Sequence, residues 1–351
     1  MRLRTVSVAV VVLLLLVLAY TAWWVSAAWQ LRHGVEDWAA QQRAAGTSVE
    51  YGNLNVAGWP LELAASADRI HLQMPDGLRL DLAALRVAAD PWNPLALRIR
   101  APQGLRAVLP GPDGPAWDAA GTPTGPTLTA GSGEGTLDLG SDGRVRAGTL
   151  ALSTAALAVR SPTPGTLAAD GITLGWRQPA PPAPGSTDPS LSVRLGLSGL
   201  VLPNPMPAPL ASRIDRLGLE ATLRGPLPPD LAAVSLRNWS QAGGVVDLTS
   251  LSLSWSGLTL QGDATLALDR DLQPLLAGSA RLGGTDVLVD ALAGAGLLRP
   301  NQAVGVKAAL GLLAQPQPDG SRAVQVPVTI QARQLAIGPA KLGEIPEIRW
   351  P

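Results

Sequence analysis

From Val245 to Asp269 the chain reads VVDLTSLSLSWSGLTLQGDATLALD, an alternation of apolar and polar residues sustained far longer than chance produces. Leu251, Leu253 and Trp255 share one phase. After Ser256-Gly257, Leu258, Leu260, Ala264, Leu266 and Leu268 share it too, with Thr259, Gln261, Asp263 and Thr265 opposite. Successive side chains of a strand point to opposite faces, so a period of two predicts β-structure with one dry and one wet face. The pattern recurs along most of the chain. Leu61–Ala65, Ile70–Leu72, Leu78–Leu82 and Leu85–Val87 read as short antiparallel strands joined by tight turns, and Leu95–Arg100 follows. Further alternating pieces are Thr136–Leu139, Thr149–Leu152, Leu157–Arg160, Ile172–Trp176, Leu191–Leu197 and Leu217–Leu223, with Val324–Ile330 and Gln334–Ile337 last.

Two stretches rich in Pro, Gly or Thr, near residues 109–135 and 178–190, cannot bury enough apolar surface to order themselves and are expected to be loops. Pro203, Pro205, Pro207 and Pro209 impose an extended, unpaired segment. The period changes in Asp230–Ser240, Thr285–Leu298 and Gln302–Ala314. There, helical spacing such as Val306, Leu310 and Leu313, with flanking Pro or Gly, predicts three helices.

Ahead of all this, the run from Thr5 to Leu31 carries no charge and follows Arg2 and Arg4. About 20 apolar residues cross a bilayer as a helix, whereas a cleaved signal has an apolar core of about 7–15. The run is therefore expected to be an uncleaved anchor over residues 1–31, the alternative being a signal cut near Val25-Ser26-Ala27. Arg2 and Arg4 keep the short end cytoplasmic, and Tyr20, Trp23, Trp24 and Trp29 suit the far interface. Residues 32–46 continue as an amphipathic stem, with Leu31, Val35 and Trp38 at helical spacing, and residues 47–351 form an exported β-rich domain. The expected fold is mainly β (α+β): a transmembrane helix, then a large curled antiparallel sheet or groove, with a few helices in the last third.

Composition removes several functions. Lys+Arg and Asp+Glu both number 27, so no basic field exists to hold a phosphate backbone, and nucleic acid is excluded as a partner. Without cysteine there are no disulfides, thiolate chemistry or Cys-ligated zinc. No Gly-x-Ser-x-Gly elbow or phosphate loop occurs. Of the two histidines, His33 reads as a solvated stem residue and His71 as a wet-face strand residue. Asp286 with Asp290, and the group Asp263, Asp269 and Asp271, are candidates for calcium or acid–base chemistry, but helix starts and turns attract Asp for structural reasons. The expectation is a protein that is not an enzyme and uses no cofactor.

The Gly58-Trp59-Pro60 turn, Asn238-Trp239-Ser240 with Gly243-Gly244 before the long alternating segment, Leu268-Asp269 at its end, and Gly338-Pro339 before Ile345-Pro346 resemble the domain of unknown function 2125 family of exported alphaproteobacterial proteins. The resemblance extends over most of the chain and assigns no catalytic residue. The anchor plus many Leu-x-Leu strands is more distantly similar, in pattern only, to AsmA-like envelope proteins, which implies a curled sheet carrying lipid on an apolar face. The expected role is thus a single-pass inner-membrane protein, mostly periplasmic, whose Leu251, Leu253, Trp255, Leu258, Leu260, Ala264, Leu266 and Leu268 line a groove for lipid or acyl chains. Its partners would be the bilayer and other envelope proteins. The alternative is a membrane-tethered interaction module in which the same leucines are sealed in a closed core without a ligand.

Overall fold

A computed structural model describes residues 2–110, 125–159, 165–179, 183, 186–204, 206–296, 298–317, 322–338 and 340–350. The chain divides into two compact units, the first from Met1–Val145 with Leu152–Gly165, the second from Arg146–Ala151 with Thr166–Pro351.

Unit 1 begins with one unbroken helix, α1 (Arg2–Ala44), so the segments expected as anchor and stem are a single element. A turn at Ala45-Gly46, where Gly46 has φ +89°, leads to β1 (Ser48–Glu50), followed by β2 (Asn55–Ala57), β3 (Leu63–Gln73), β4 (Arg79–Asp90) and β5 (Asn93–Ala101). β6 (Leu105–Val108), β7 (Thr127–Ala130), β8 (Ser132–Leu139) and β9 (Val145–Val159) complete the series. All pairings given by register are antiparallel: β3 with β1, β2 and β4, β4 with β5 and β6, β5 with β8, β6 with β7, and β7 with β9. The core of this unit centres on Ile70, Leu82 and Ala101, with Ala67, Leu72, Leu80, Leu85, Leu105 and Tyr51 packed around them.

The strands of unit 1 are longer than the alternation suggests. Leu61–Ala65 and Ile70–Leu72 are not two strands joined by a turn, and neither are Leu78–Leu82 and Leu85–Val87. From Leu63 to Gln73 the chain is β3, which pairs along its length with β4. The apolar phase slips from odd to even numbers because Arg69 takes φ +48° in mid-strand. Ala67 and Ile70 consequently pack on the same cluster. The same device joins Thr149–Leu152 and Leu157–Val159 into β9, where Thr154 has φ +46°. Part of the expected 109–135 loop is also strand, since β7 and β8 begin inside it. The glycine there serves close approach rather than flexibility: a Cβ on Gly131 would come 2.1 Å from Thr154 Oγ1. Residues 111–124 of that stretch lie outside the described residues, as do Arg160, Pro205 and residues 180–182, 184 and 185 of the proline-rich 178–190 segment.

Unit 2 is a meander in which neighbours in sequence are neighbours in space. β10 (Gly165–Arg177), with residues 146–151 of β9 beside it, pairs with β11 (Pro189–Val201), then come β12 (Arg213–Arg224), β13 (Val245–Trp255), β14 (Leu258–Leu268) and β15 (Pro274–Gly283). β17 (Arg322–Gln331) pairs with β15, with the two-residue β16 (Gln315–Pro316), and with β18 (Gln334–Ile337), which pairs with β19 (Ala340–Glu344). Three helices interrupt the meander where helical spacing places them, each shorter or shifted: α2 (Ala233–Gln241), α3 (Thr285–Gly294) and α4 (Pro300–Leu313). α3 stops four residues short of Leu298 because Ala295-Gly296 turns the chain, with Gly296 at φ +74°.

Candidate functional site

β13 and β14 supply the centre of unit 2. Trp255 lies opposite Leu258, Leu253 opposite Leu260, Leu251 opposite Gly262, Leu248 opposite Ala264 and Val246 opposite Leu266. Directly opposed residues share a face, and β14 alternates strictly. Leu251, Leu253, Trp255, Leu258, Leu260, Ala264, Leu266 and Leu268 therefore lie together on one side. Val246 and Leu248 have the wrong parity in sequence yet join them, because a bulge at Thr249-Ser250 inserts one residue between Leu248 and Leu251.

The face continues well beyond these two strands. One cross-strand row runs Ile172, Leu197, Leu217, Leu253, Leu260, Leu282, Val324, and the next runs Leu174, Leu195, Leu219, Leu251, Gly262, Ala280, Val326. Sequence reasoning missed that membership, although each strand's own alternation marks its dry side. The register that stacks leucine on leucine across seven strands is set by the turns and one bulge. Of the eight expected site residues only Leu258 is buried, and the other seven are half-buried. The described strands of unit 2 all belong to one sheet, on which the other leucines of this face are half-buried.

The two ends of the face are built differently. At one end Gly284, which precedes α3, approaches Gly257-Leu258 so closely that a Cβ would fall 2.1 Å from the Gly257 carbonyl oxygen. Trp255 donates its indole N–H to the Ala211 carbonyl at 2.8 Å. At the other end Trp239 of α2 is buried, its indole donating to the Arg224 carbonyl at 3.0 Å, and Ser240 donates to the Leu268 carbonyl at 3.0 Å. Beside it a cavity of about 580 Å³ is lined by Arg237, Ser240, Gln241, Leu268, Leu275 and the Asp269–Leu272 turn.

The opposite face is polar and cross-linked. Arg194 pairs with Glu220 at 2.7 Å, Arg224 with Asp247, and Ser279 donates to Asp263 at 3.0 Å. The hydrogen bond from Arg224 holds the Asp247 carboxyl below its ordinary value, with burial opposing and a bond from Thr265 adding to the effect. Asp263, Asp269 and Asp290, three of the five candidate carboxylates, have structural partners. Asp269 accepts from the backbone N–H of Asp271 at 2.9 Å and of Gln273 at 2.8 Å, and Asp290 pairs with Lys307 of α4 at 2.7 Å. In unit 1, His71 contacts Asp81 at 2.7 Å on the wet side of β3, and both line an open recess of about 350 Å³. Burial works to raise the Asp81 carboxyl, but the bonds from His71 and Arg79 outweigh it and leave it lowered. His33 lies exposed against Glu36, one turn along α1. Among the described residues no three His, Asp or Glu side chains gather as metal ligands.

An N-terminal apolar helix and a large antiparallel sheet, whose meander in unit 2 has one apolar and one polar face, define a strand-rich protein. The family model described as "Uncharacterized protein conserved in bacteria (DUF2125)" matches residues 24–346, nearly the whole chain, and the chain belongs to that family. No curated protein matches it.

Proposed function

We propose that this is a single-span protein of the bacterial inner membrane, with the bulk of the chain in the periplasm, that binds lipid acyl chains on the apolar face of unit 2 and takes part in envelope lipid handling. The observation that supports the reading is the continuous row of half-buried leucines that crosses the strands of unit 2. Large exposed apolar patches are uncommon on soluble surfaces unless they are used. Binding here is partition: each methylene laid on the face contributes about 0.8 kcal/mol, and no side chain needs to do chemistry. The apolar side chains of α1 from Val10 to Leu18 are exposed, as a helix in lipid requires.

The test is photolabelling. The full chain in lipid nanodiscs, exposed to a photoreactive fatty acid and digested, is expected to carry adducts concentrated in β12–β15. Adducts absent from those strands would remove the lipid reading. A periplasm-dependent reporter fused after Thr47 is expected to be active, and cytoplasmic activity instead would refute export. A second reading, partner binding by a tethered module, is favoured by α4, whose Val304, Leu312 and Leu313 are exposed. Labelling that falls on α4 alone would favour it.

A further inference from the structure

In unit 1 the helix α1 does not leave the sheet behind as it emerges from its most apolar stretch. Tyr20 donates its hydroxyl to the Pro60 carbonyl, and the Trp24 indole donates to the Glu62 carbonyl at 3.1 Å. Both acceptors lie in the loop between β2 and β3, which pair through Ala57 and Ala64. Farther along, Ala39 is fully buried, Arg43 donates to the Val49 carbonyl at 2.9 Å, and Gly46 meets Pro75 in the β3–β4 turn. The helix thus runs beside β3 from one end of the strand to the other. The lengths agree: Tyr20 to Ala44 spans about 36 Å of helix, and β3 spans roughly 33 Å.

This fixes which end of the sheet faces the bilayer. A helix covers about 30 Å between Arg4 and Trp24, the thickness of a hydrocarbon core, so the loop bound to Tyr20 and Trp24 lies at the headgroup level. That loop exposes Trp59 and Leu61, the latter 66% accessible. The β4–β5 hairpin ends beside it, since Leu63 pairs with Ala89 and Asp90 with Asn93, and Trp92 at its tip is 68% accessible. Charges at this end are neutralised internally: Glu62 pairs with Arg86 and with Arg98 at 3.3 Å, and Asp90 pairs with Arg98 at 2.8 Å. Tryptophan at a lipid interface, flanked by an aliphatic side chain and free of unpaired anions, is a membrane-contact composition.

We infer that Trp59, Leu61 and Trp92 form a second membrane contact that seats this end of unit 1 on the same bilayer α1 crosses, so the unit rests on the lipid surface rather than swinging on a stem. The inference rests on the anchor reading above. Since the chain has no cysteine, single-cysteine probes have no background. The full chain carrying L61C or W92C, labelled with an environment-sensitive fluorophore, is reconstituted in vesicles of phosphatidylethanolamine and phosphatidylglycerol containing spin-labelled lipid. L13C reports the core of the anchor, and M74C, exposed at the far β3–β4 turn, reports the distal end. Blue-shifted emission and several-fold stronger quenching at L61C and W92C than at M74C, with L13C quenched, is the expected result. Quenching at L13C with none at L61C and W92C would overturn the contact and leave the anchor standing. An unquenched L13C would overturn both, and equal quenching at M74C would replace the seated end with nonspecific adsorption.

Discussion

Trp239 packs so tightly on Gly244 that a Cβ there would come 2.2 Å from Cε2 and 2.4 Å from Nε1 of the indole. The pairing explains why a tryptophan in α2 is followed by glycines: Gly243 turns the chain at φ +81°, and Gly244 lets the ring close over the start of β13. The ring has no freedom to yield, because its N–H is committed to Arg224. Gly244→Ala is expected to cost about 1–3 kcal/mol by overpacking, read as a lower denaturant midpoint with an unchanged slope. Two residues into the strand, Asp247 makes a pH prediction. Its folded value lies below the ordinary 3.8, chiefly through Arg224. A depressed carboxylate stabilises fully above its unfolded value and loses that contribution as pH falls through the folded one. Asp247→Asn should therefore unfold earlier than the parent at pH 7, by about 1 kcal/mol for a partly exposed pair. The two melting curves should converge in acid below the folded value, and a gap that persisted there would refute the assignment.

At the scale of elements, the alternation located most strands of unit 2, because a half-buried antiparallel strand must write its period into the sequence, but β15, β16 and β19 were not among them. It failed where the period slips. Arg69 and Thr154, both at positive φ, reverse the phase inside β3 and β9, and a reversal of phase without a register shift looks in one dimension like a turn. Val246 and Leu248 were hidden for a related reason, the Thr249-Ser250 bulge. The eight residues expected at the site do share a face, but nothing local to β13 and β14 announces that Leu217, Leu282 and Val324 extend the same row, since register between strands is a property of pairs. Whether that face is open is testable by size. Leu260 stands between Leu253 and Leu282 and is half-buried. In a sealed core Leu260→Trp would overpack at a cost of about 1–3 kcal/mol, whereas on an uncovered face the indole extends over its neighbours nearly without penalty. The expected outcome is an unchanged denaturant midpoint together with weaker acyl photolabelling. A large loss of stability would identify the face as a closed interior.

At the scale of the whole molecule, the N-terminal apolar helix also packs on folded residues of unit 1. Sequence marks residues 32–46 as an amphipathic continuation but does not say what its apolar side meets; the structure lays α1 as a whole against β1, β2 and β3 of unit 1, with Arg43 of this stretch on β1. Ala39 is fully enclosed and Arg43 spends its guanidinium on the Val49 carbonyl and over the Tyr51 ring, 6.0 Å from its centroid. A chain beginning at Thr47 would thus expose the surface that α1 covers and strip β1, a three-residue edge strand, of its support. The caps of unit 2, α2 and α3, come from its own residues. Scanning calorimetry of the truncated chain is therefore expected to show one transition lowered by about 5 °C or more and a second at its original temperature. Limited proteolysis of that chain should cut first between residues 47 and 62. Equal destabilisation of both transitions would mean that the helix supports the molecule as a whole, and no change in either would reduce it to a tether.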